Sequence, residues 1–324
     1  MIKRVKLYES NSFDPYYNLA VEQYLMETVE EDAIILFLWQ NQNTVVIGKN
    51  QNAWKECRTA LLSKEGGLLA RRLSGGGAVF HDLGNLNFTF LMSQTEYDLD
   101  RQFSVIAQAM QLLGLHADRS GRNDMLVEGR KFSGNAFYKN GKQAYHHGTL
   151  LVDVDMEKLS RYLNPSKAKL QAKGVDSVRS RVVNLRELNP EITIESLKKA
   201  MAEAFETVYG LPCSMLSNTD FDTAAIEALR VRNASWEWNF GQKLPFTAEL
   251  EGRFAWGGIQ LCLQVENGVV TSAKVYSDAM DWQIAQIIEP CLTGCRFDPA
   301  AMQAVIPENL AVCDDIRALI TDQT

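Results

Sequence analysis

Apolar positions recur along the chain with two periods, and the switches between them mark most of the predicted elements. After Asp14-Pro15, the residues Tyr17, Ala20, Val21, Tyr24 and Leu25 form a helical stripe. An aspartate accepts the first free N–H there, and a proline in the first turn loses no hydrogen bond. Ala33–Trp39 and Thr44–Ile47 read as strands rich in branched side chains, and Leu68–Leu73 as another. A short helix is predicted over Trp54–Leu62. Leu86, Phe88, Phe90 and Met92 alternate with Asn87, Thr89 and Leu91, the period of a strand. Phe103, Ile106, Ala107, Met110 and Leu113 return to helical spacing, which Gly114 ends.

Met125–Val127, Arg130–Tyr138 and Gln143–Val152 read as three strands joined by turns at Glu128-Gly129 and Asn140-Gly141. A long irregular stretch follows, from about 160 to 190. Loops longer than about 12–15 residues are usually functional or disordered. Thr193 then caps a helix to Tyr209, with Ile192 and Leu197 placed as a hydrophobic staple and Gly210 and Pro212 at its end. Gly241, Pro245 and Gly252 mark a break. Beyond it lie one hairpin, Ile259–Val265 returning through Val269–Tyr276, and helical runs at Trp282–Leu292, after Asp298-Pro299 and at Asn309–Ile320. The strands come as hairpins rather than in strand–helix alternation, so the expected class is α+β with mixed or antiparallel sheets. The expected division is a large domain over 1–245 and a small α+β domain over 246–324.

With 324 residues, 46% hydrophobic and 23% charged, the chain has a globular composition and length for about two domains. Its longest apolar stretch, Ala33–Trp39, is far shorter than the roughly 18 residues of a membrane span, and the N-terminus carries no apolar signal segment. Six scattered cysteines, of which only Cys291 and Cys295 lie close, suit neither a zinc site nor a disulfide framework. They fit a reducing cytoplasm. The net charge of −7 argues against a general nucleic-acid binder. Between Arg161 and Arg186, however, seven cations face only Asp176. This basic island is either a solvated loop or a segment that meets an anion.

The densest chemical signal is Arg71-Arg72-Leu73-Ser74-Gly75-Gly76-Gly77-Ala78-Val79-Phe80-His81-Asp82. Glycines let a backbone approach a ligand and turn its N–H groups toward one point, and paired arginines add fixed charge. This pattern points to an anion site that is neither a phosphate loop nor a dinucleotide fingerprint. Asp124, at a strand start, either caps a turn or holds a hydrated Mg²⁺. On a regular strand Lys131, Ser133 and Asn135 share one face and Phe132, Gly134 and Ala136 the other. Lys131 is then either a solvated edge residue or a point charge aimed into a pocket. The adjacent His146 and His147 face opposite ways and cannot chelate one metal from a flat strand. No serine or cysteine nucleophile signature is present, and Cys57 reads as a core thiol.

In this order the pieces resemble the lipoate–protein ligase A family. The match comprises Arg-Arg-x-Ser-Gly-Gly-Gly-x-Val-x-His-Asp at 71–82, Ser-Gly-Arg-Asn-Asp at 120–124, Lys-x-Ser-Gly-x-Ala at 131–136 and His-His-Gly-Thr-Leu-Leu at 146–151. Asn18-Leu19-Ala20-x-Glu22, Asn164-Pro165, the stretch Ser177–Arg181 and Ser235–Asn239 also fit. The resemblance implies a biotin/lipoate-ligase-like catalytic domain with a C-terminal accessory domain that reorients between steps. It implies ATP-dependent activation of lipoate to lipoyl-AMP with release of pyrophosphate. Transfer to a lysine of apo carrier domains, in 2-oxoacid dehydrogenases and the glycine cleavage H protein, would follow. In its terms Lys131 contacts both lipoate and nucleotide. Arg72, Ser74, Gly75, Gly76, Gly77, Ala78, Val79, Phe80, Asp124 and Ala136 belong to the nucleotide site. His147 and Gly148 belong to the lipoate site, and Ser177, Arg179 and Arg181 to a loop covering the adenylate. ATP and Mg²⁺ are the expected cofactors, and a cytoplasmic monomer without nucleic-acid or membrane partners is expected. The rival readings are a lipoyl or octanoyl transferase on the same fold lacking ATP activation, a biotin ligase, and a non-catalytic nucleotide-binding module.

Overall fold

Two strands that are apolar on both faces fix the centre of the molecule. A computed structural model describes residues 1–121, 123–163, 182–240, 248–266, 268–308 and 312–323, with the side chains of 54 and 55 excepted. Its strands are β1 (Arg4–Glu9), β2 (Ala33–Trp39), β3 (Thr44–Ile47), β4 (Leu68–Arg71), β5 (Val79–His81), β6 (Asn85–Ser93) and β7 (Ala117–Ser120). They continue with β8 (Asp124–Val127), β9 (Arg130–Lys139), β10 (Gln143–Leu151), β11 (Cys213–Met215), β12 (Ala248–Phe254), β13 (Gly257–Glu266) and β14 (Val269–Ser277). Every residue of β2 and β6 is buried, as expected for central strands covered on both sides.

The main sheet has the order β11-β1-β2-β6-β10-β9-β8-β7. β1 runs parallel to β2 and β11, whereas β2, β6, β10, β9, β8 and β7 are successively antiparallel. The mixed sheet expected from the hairpin-rich sequence is therefore present. One face, with Ile34, Leu36, Leu86, Phe88 and Phe90, packs on helices Leu99–Leu112 and Ile194–Tyr209. The other, with Ile35, Phe37, Trp39 and Leu91, packs on helix Pro15–Thr28. Asp14 caps that last helix by accepting from the Tyr16 N–H, and Thr193 and Ser196 form a capping box on the helix they open. A second sheet, β4-β3-β5, rests on the latter face through Val46 and Ala70 and carries the glycine-rich turn between β4 and β5.

A separate core is built from β12-β13-β14 and helices Gln283–Leu292 and Cys313–Gln323, around Leu261, Leu263, Ile288 and Ile316. The expected domain boundary near 245 falls among residues 241–247, outside the described residues. The two parts meet at Asn50, whose carbonyl accepts from the Ser277 N–H (2.6 Å) and whose amide donates to the Trp282 carbonyl (2.6 Å). Trp282 also stacks on Tyr138, with centroids 5.1 Å apart.

Two expectations change, and several elements had not been expected. The helix read over Trp54–Leu62 is two short helices, Ala53–Glu56 and Thr59–Lys64, because Cys57 leaves the helix to bridge Leu163. The strand read over Leu68–Leu73 stops at Arg71, where the glycine turn begins. β1, β7, β11 and helix Thr223–Ala234 carried no sequence signal strong enough to be read. Among the described residues no helix is long and apolar enough to cross a membrane, and no two of the cysteines form a disulfide.

Phe90 is fully buried between Phe88, His146 and Phe205. Phe90→Ala should lower stability by about 3–5 kcal/mol through lost burial and a residual cavity. Urea midpoints measure this, and a loss below about 1 kcal/mol would place the core elsewhere.

Candidate functional site

Arg71 and Arg72 leave β4 side by side and are both spent on backbone carbonyls. Arg72 is 6% exposed. Its Nε donates to Ser74 Oγ (3.0 Å), its Nη1 to the Val46 carbonyl (3.1 Å), and its Nη2 to the carbonyls of Gly75 (2.7 Å) and Gly77 (2.8 Å). Burial lowers its pKa to about 10, and the guanidinium stays charged at neutral pH. Arg71 donates to the carbonyls of Gln51 (2.7 Å), Trp238 (3.0 Å) and Asn239 (2.5 Å). Arg72 thus clamps the glycine turn into shape, while Arg71 ties the end of β4 to residues 48–51 and 238–239. The Gly76 N–H donates to the Ala279 carbonyl at 2.9 Å. Among the described residues the N–H groups of Gly77 and Ala78 have no protein partner, and both residues line the adjacent cavity. Gly75 has no room for a side chain, since a Cβ there would lie 2.1 Å from the Ala279 carbonyl oxygen.

Across the cavity stands Lys131, on a face the alternation rule did not predict. β8 and β9 pair Met125 with Ser133 but Leu126 with Lys131, so Phe132 is an extra residue on β9. Phe132 and Ser133 are both fully buried. Phe132 lies in the core beneath helix Leu99–Leu112. The Ser133 hydroxyl accepts from Asn135, whose Oδ1 lies 2.8 Å from His146 in the same core. The bulge therefore turns Lys131 away from Ser133 and onto the side of Gly134, contrary to the regular-strand reading. A Cβ at 134 would lie 3.0 Å from Lys131 Nζ, so glycine there makes room for the lysine chain. Lys131 Nζ pairs with Asp124 Oδ1 at 2.6 Å, with side chains 33% and 38% exposed. A pair that exposed is worth about 0–1 kcal/mol, little enough for an incoming anion to replace.

The cavity between turn and lysine has a volume of about 180 Å³. His147 lies on its wall. Nδ1 of His147 is 2.7 Å from Glu22 Oε1 and Nε2 is 2.8 Å from Ser74 Oγ. Glu22 Oε1 also accepts from Thr89 Oγ1 (2.7 Å), which accepts from Trp39 Nε1 (3.1 Å). The five residues come from helix Pro15–Thr28, β2, β6, β10 and the glycine turn. His146 faces the other side, in the core, 3.0 Å from Gln102 Oε1. Burial, with Arg72 and His147 adding to it, lowers the pKa of His81 to about 3, and burial holds His146 far below the usual imidazole range.

The structure brings Arg72, Gly76, Gly77, Ala78, Val79, Lys131, Ala136, His147 and Gly148 to one cavity. Ser74 reaches it through His147, and Asp124 through Lys131. Gly75 faces Ala279 instead. Phe80 turns away and packs on Tyr162, with centroids 5.4 Å apart. Ser177, Arg179 and Arg181 lie outside the described residues. The Cys57 thiol is buried in the core, which pushes its pKa up to about 12. Sequence reasoning gave no part to Trp39, Asn87 and Met280, which also line the cavity. Asn87 had left a signal, a polar position on a strand whose both faces proved buried. Met280 left none, because it arrives from the C-terminal part.

A family model for the lipoyl protein ligase A/B catalytic domain matches residues 14–206, and one for the bacterial lipoate protein ligase C-terminus matches residues 243–317. Among solved structures, P. falciparum LipL1 in complex with lipoate is 28% identical, with a TM-score of 0.86 over 98% of this chain and 100% of that one. A bipartite lipoate protein ligase from Thermoplasma acidophilum, studied with its E2 lipoyl domain, is 26% identical over 76% of this chain and 100% of that one, with a TM-score of 0.64. A lipoate-protein ligase A bound with ATP is 25% identical over 74% of this chain and 99% of that one, with a TM-score of 0.61.

Two predictions follow from the geometry. Gly75→Ala should push the turn off Ala279, and amide hydrogen exchange at Gly76 should quicken at least roughly tenfold; unchanged exchange would show that the seam tolerates the methyl. The second concerns acid. The unfolded His81 imidazole takes up a proton below about 6.5, and the native one only near 3. Stability is therefore lost as pH falls, by about 2 kcal/mol from this residue at pH 5. His81→Gln should show a smaller drop in urea midpoint between pH 7.5 and 5 than the wild type, and equal drops would remove His81 from the account.

Proposed function

Since the chain belongs to the lipoyl protein ligase A/B family, we propose that it is an ATP-dependent lipoate–protein ligase. The observation that carries this reading is the bulge-directed ammonium of Lys131 opposite the free N–H groups of Gly77 and Ala78 across one cavity. In the first step a lipoate carboxylate oxygen forms a bond to the α-phosphorus of ATP, and the bond to the β-phosphate oxygen breaks, releasing pyrophosphate. Two like charges about 4 Å apart repel by about 4 kcal/mol in an environment of intermediate dielectric. Lys131 would offset that by leaving Asp124 for the reacting oxygens, a role suited to a movable point charge. Gly77 and Ala78 would donate to phosphate oxygens, with Arg72 holding the turn that aims them. Leu19, Trp39 and Val46 would cover the apolar acyl chain.

In the second step the neutral amine of a carrier lysine attacks the acyl carbon. The amide forms, AMP leaves, and the amine proton passes to solvent. A magnesium ion would take most of its oxygens from the phosphates, and Asp124, paired with Lys131, would supply a further one. Among the described residues no three His, Cys, Asp or Glu side chains cluster as ligands, which fits an ion carried in by the nucleotide. We assign residues 1–245 to the catalytic part and 246–324 to the accessory part. The Ala279 carbonyl on Gly76 supports a movement of the accessory part when nucleotide enters. The residues matching the adenylate-covering loop, Ser177, Arg179 and Arg181, are assigned there by family resemblance. E2 lipoyl domains and H protein are the carriers proposed, for an enzyme assigned as a cytoplasmic monomer.

The test is reconstitution with lipoate, Mg-ATP and an apo lipoyl domain. Carrier lipoylation with stoichiometric pyrophosphate is expected, and Lys131→Met should lower pyrophosphate release by at least roughly a hundredfold with an unchanged melting temperature. Transfer from ready-made lipoyl-AMP alone would assign the chain to the transferase reading, and full activity of Lys131→Met would refute the role of the ammonium.

A further inference from the structure

A second cavity, about 510 Å³ in volume, lies where the two parts of the chain meet and shares no lining residue with the first. Lys49, Arg71 and Trp238 line it from the N-terminal part, and Lys274, Tyr276 and Glu289 from the C-terminal part. Its charge is unbalanced. The Lys49 ammonium lies 4.1 Å from the centre of the Trp238 ring, and the Arg232 guanidinium 4.3 Å from the same centre. Such contacts attract a cation without cancelling its charge. Arg71 donates to the backbone carbonyls of residues 48, 49, 51, 238 and 239. Arg232 donates to the side-chain oxygens of Gln23 (2.6 Å) and Asn233 (2.7 Å). Among the described residues none of these three cations forms an ion pair with a carboxylate. Residues 241–247, which join the two parts and lie outside the described residues, contain no Asp or Glu. Lys49 registers the imbalance: burial and the charges of Arg232, Arg71 and Lys274 lower its pKa to about 8.

The C-terminal part brings a further cation. Lys274 Nζ pairs with Glu289 Oε1 at 2.8 Å, with side chains 46% and 25% exposed, and the same oxygen accepts from the Val275 N–H (3.0 Å). Glu237, the other carboxylate of the lining, is exposed. A partly buried group of cations with too few acids is stabilised by an anion that takes the place of water. A single carboxylate neutralises one ammonium. A phosphate-type dianion presents oxygens in several directions and can meet one lysine on each side. We propose that this cavity is a second anion site, which takes a phosphate-class oxyanion between Lys49 and Lys274 and so holds the two parts of the chain together. Asn50, next to Lys49 on the cavity wall, makes the two bonds to Ser277 and Trp282. Occupancy therefore tightens the seam that keeps the Gly76 N–H on the Ala279 carbonyl. The site itself is independent of the ligase reading. That reading adds one source of the anion, the pyrophosphate released in the first step, and free inorganic phosphate is the other.

The experiment is isothermal titration of the full chain with pyrophosphate and with inorganic phosphate, at constant ionic strength. A site is expected that Lys131→Met leaves intact. Lys49→Gln, checked for folding by its melting curve, should weaken it at least roughly tenfold, as loss of a charge-assisted hydrogen bond does. Glu289→Gln removes the competing carboxylate yet keeps an oxygen for the Val275 N–H, and should strengthen binding roughly threefold. With anion bound, amide exchange at Ser277 should slow. Tighter binding of pyrophosphate would name the reaction product as the ligand, and equal binding would name phosphate. Binding that is lost in Lys131→Met and unchanged in Lys49→Gln would put the anion in the first cavity and overturn the proposal, as would binding of neither anion. Should Lys49→Gln not fold, an unchanged affinity in Glu289→Gln overturns it. A failed lipoylation assay leaves this site standing with phosphate as its ligand, whereas failure to bind either anion here leaves the ligase reading untouched.

Discussion

The hydrogen-bonded chain from Glu22 through His147 and Ser74 to Arg72 holds the site together. A carboxylate, an imidazole and a guanidinium are buried within a few ångströms of one another, and each depends on the others for its partners. Leaving any one unpaired costs roughly 1–3 kcal/mol, more for a charged group. The chain also joins elements distant in sequence: the first helix, β10 and the turn after β4. Thr89 and Trp39 extend it into β6 and β2. The polar wall of the cavity and the shape of the glycine turn are therefore one structure.

Lys131 obeys the opposite logic. Among the described residues its ammonium is held by one ion pair, about one-third exposed, which offers too little to anchor it and so leaves it available. The bulge at Phe132 decides its direction, and Gly134 leaves space for its chain. A rigid donor set on the turn and a movable cation opposite suit a reaction in which two anions must approach before either is consumed. The C-terminal part adds a constraint, since its Ala279 carbonyl occupies the Gly76 N–H. The turn cannot offer that group to a ligand while the seam is closed.

Much of the secondary structure could be read directly. Asp14-Pro15, Thr193 and Gly210 bound their helices where the capping rules place them, and β2, β3 and the β13–β14 hairpin lie where the strand patterns put them. The glycine turn was legible as a place where backbone meets a ligand, and His146 and His147 as facing opposite ways. Less legible were β1 and β11, whose parallel pairing spans about 200 residues, because nothing local to either segment demands it.

What the sequence determined by itself was therefore everything that depends on near neighbours: caps, alternation, turn chemistry, and the residue types gathered at 71–82 and 131–136. What only the tertiary structure decided was direction and partnership. One extra residue on β9 reversed the side to which Lys131 points, and burial committed Arg72 to carbonyls of its own turn. Asn41, forty residues away in the chain, meets His81 in the core. Such choices are settled by which groups share a buried space, and a chain does not disclose that until it has folded.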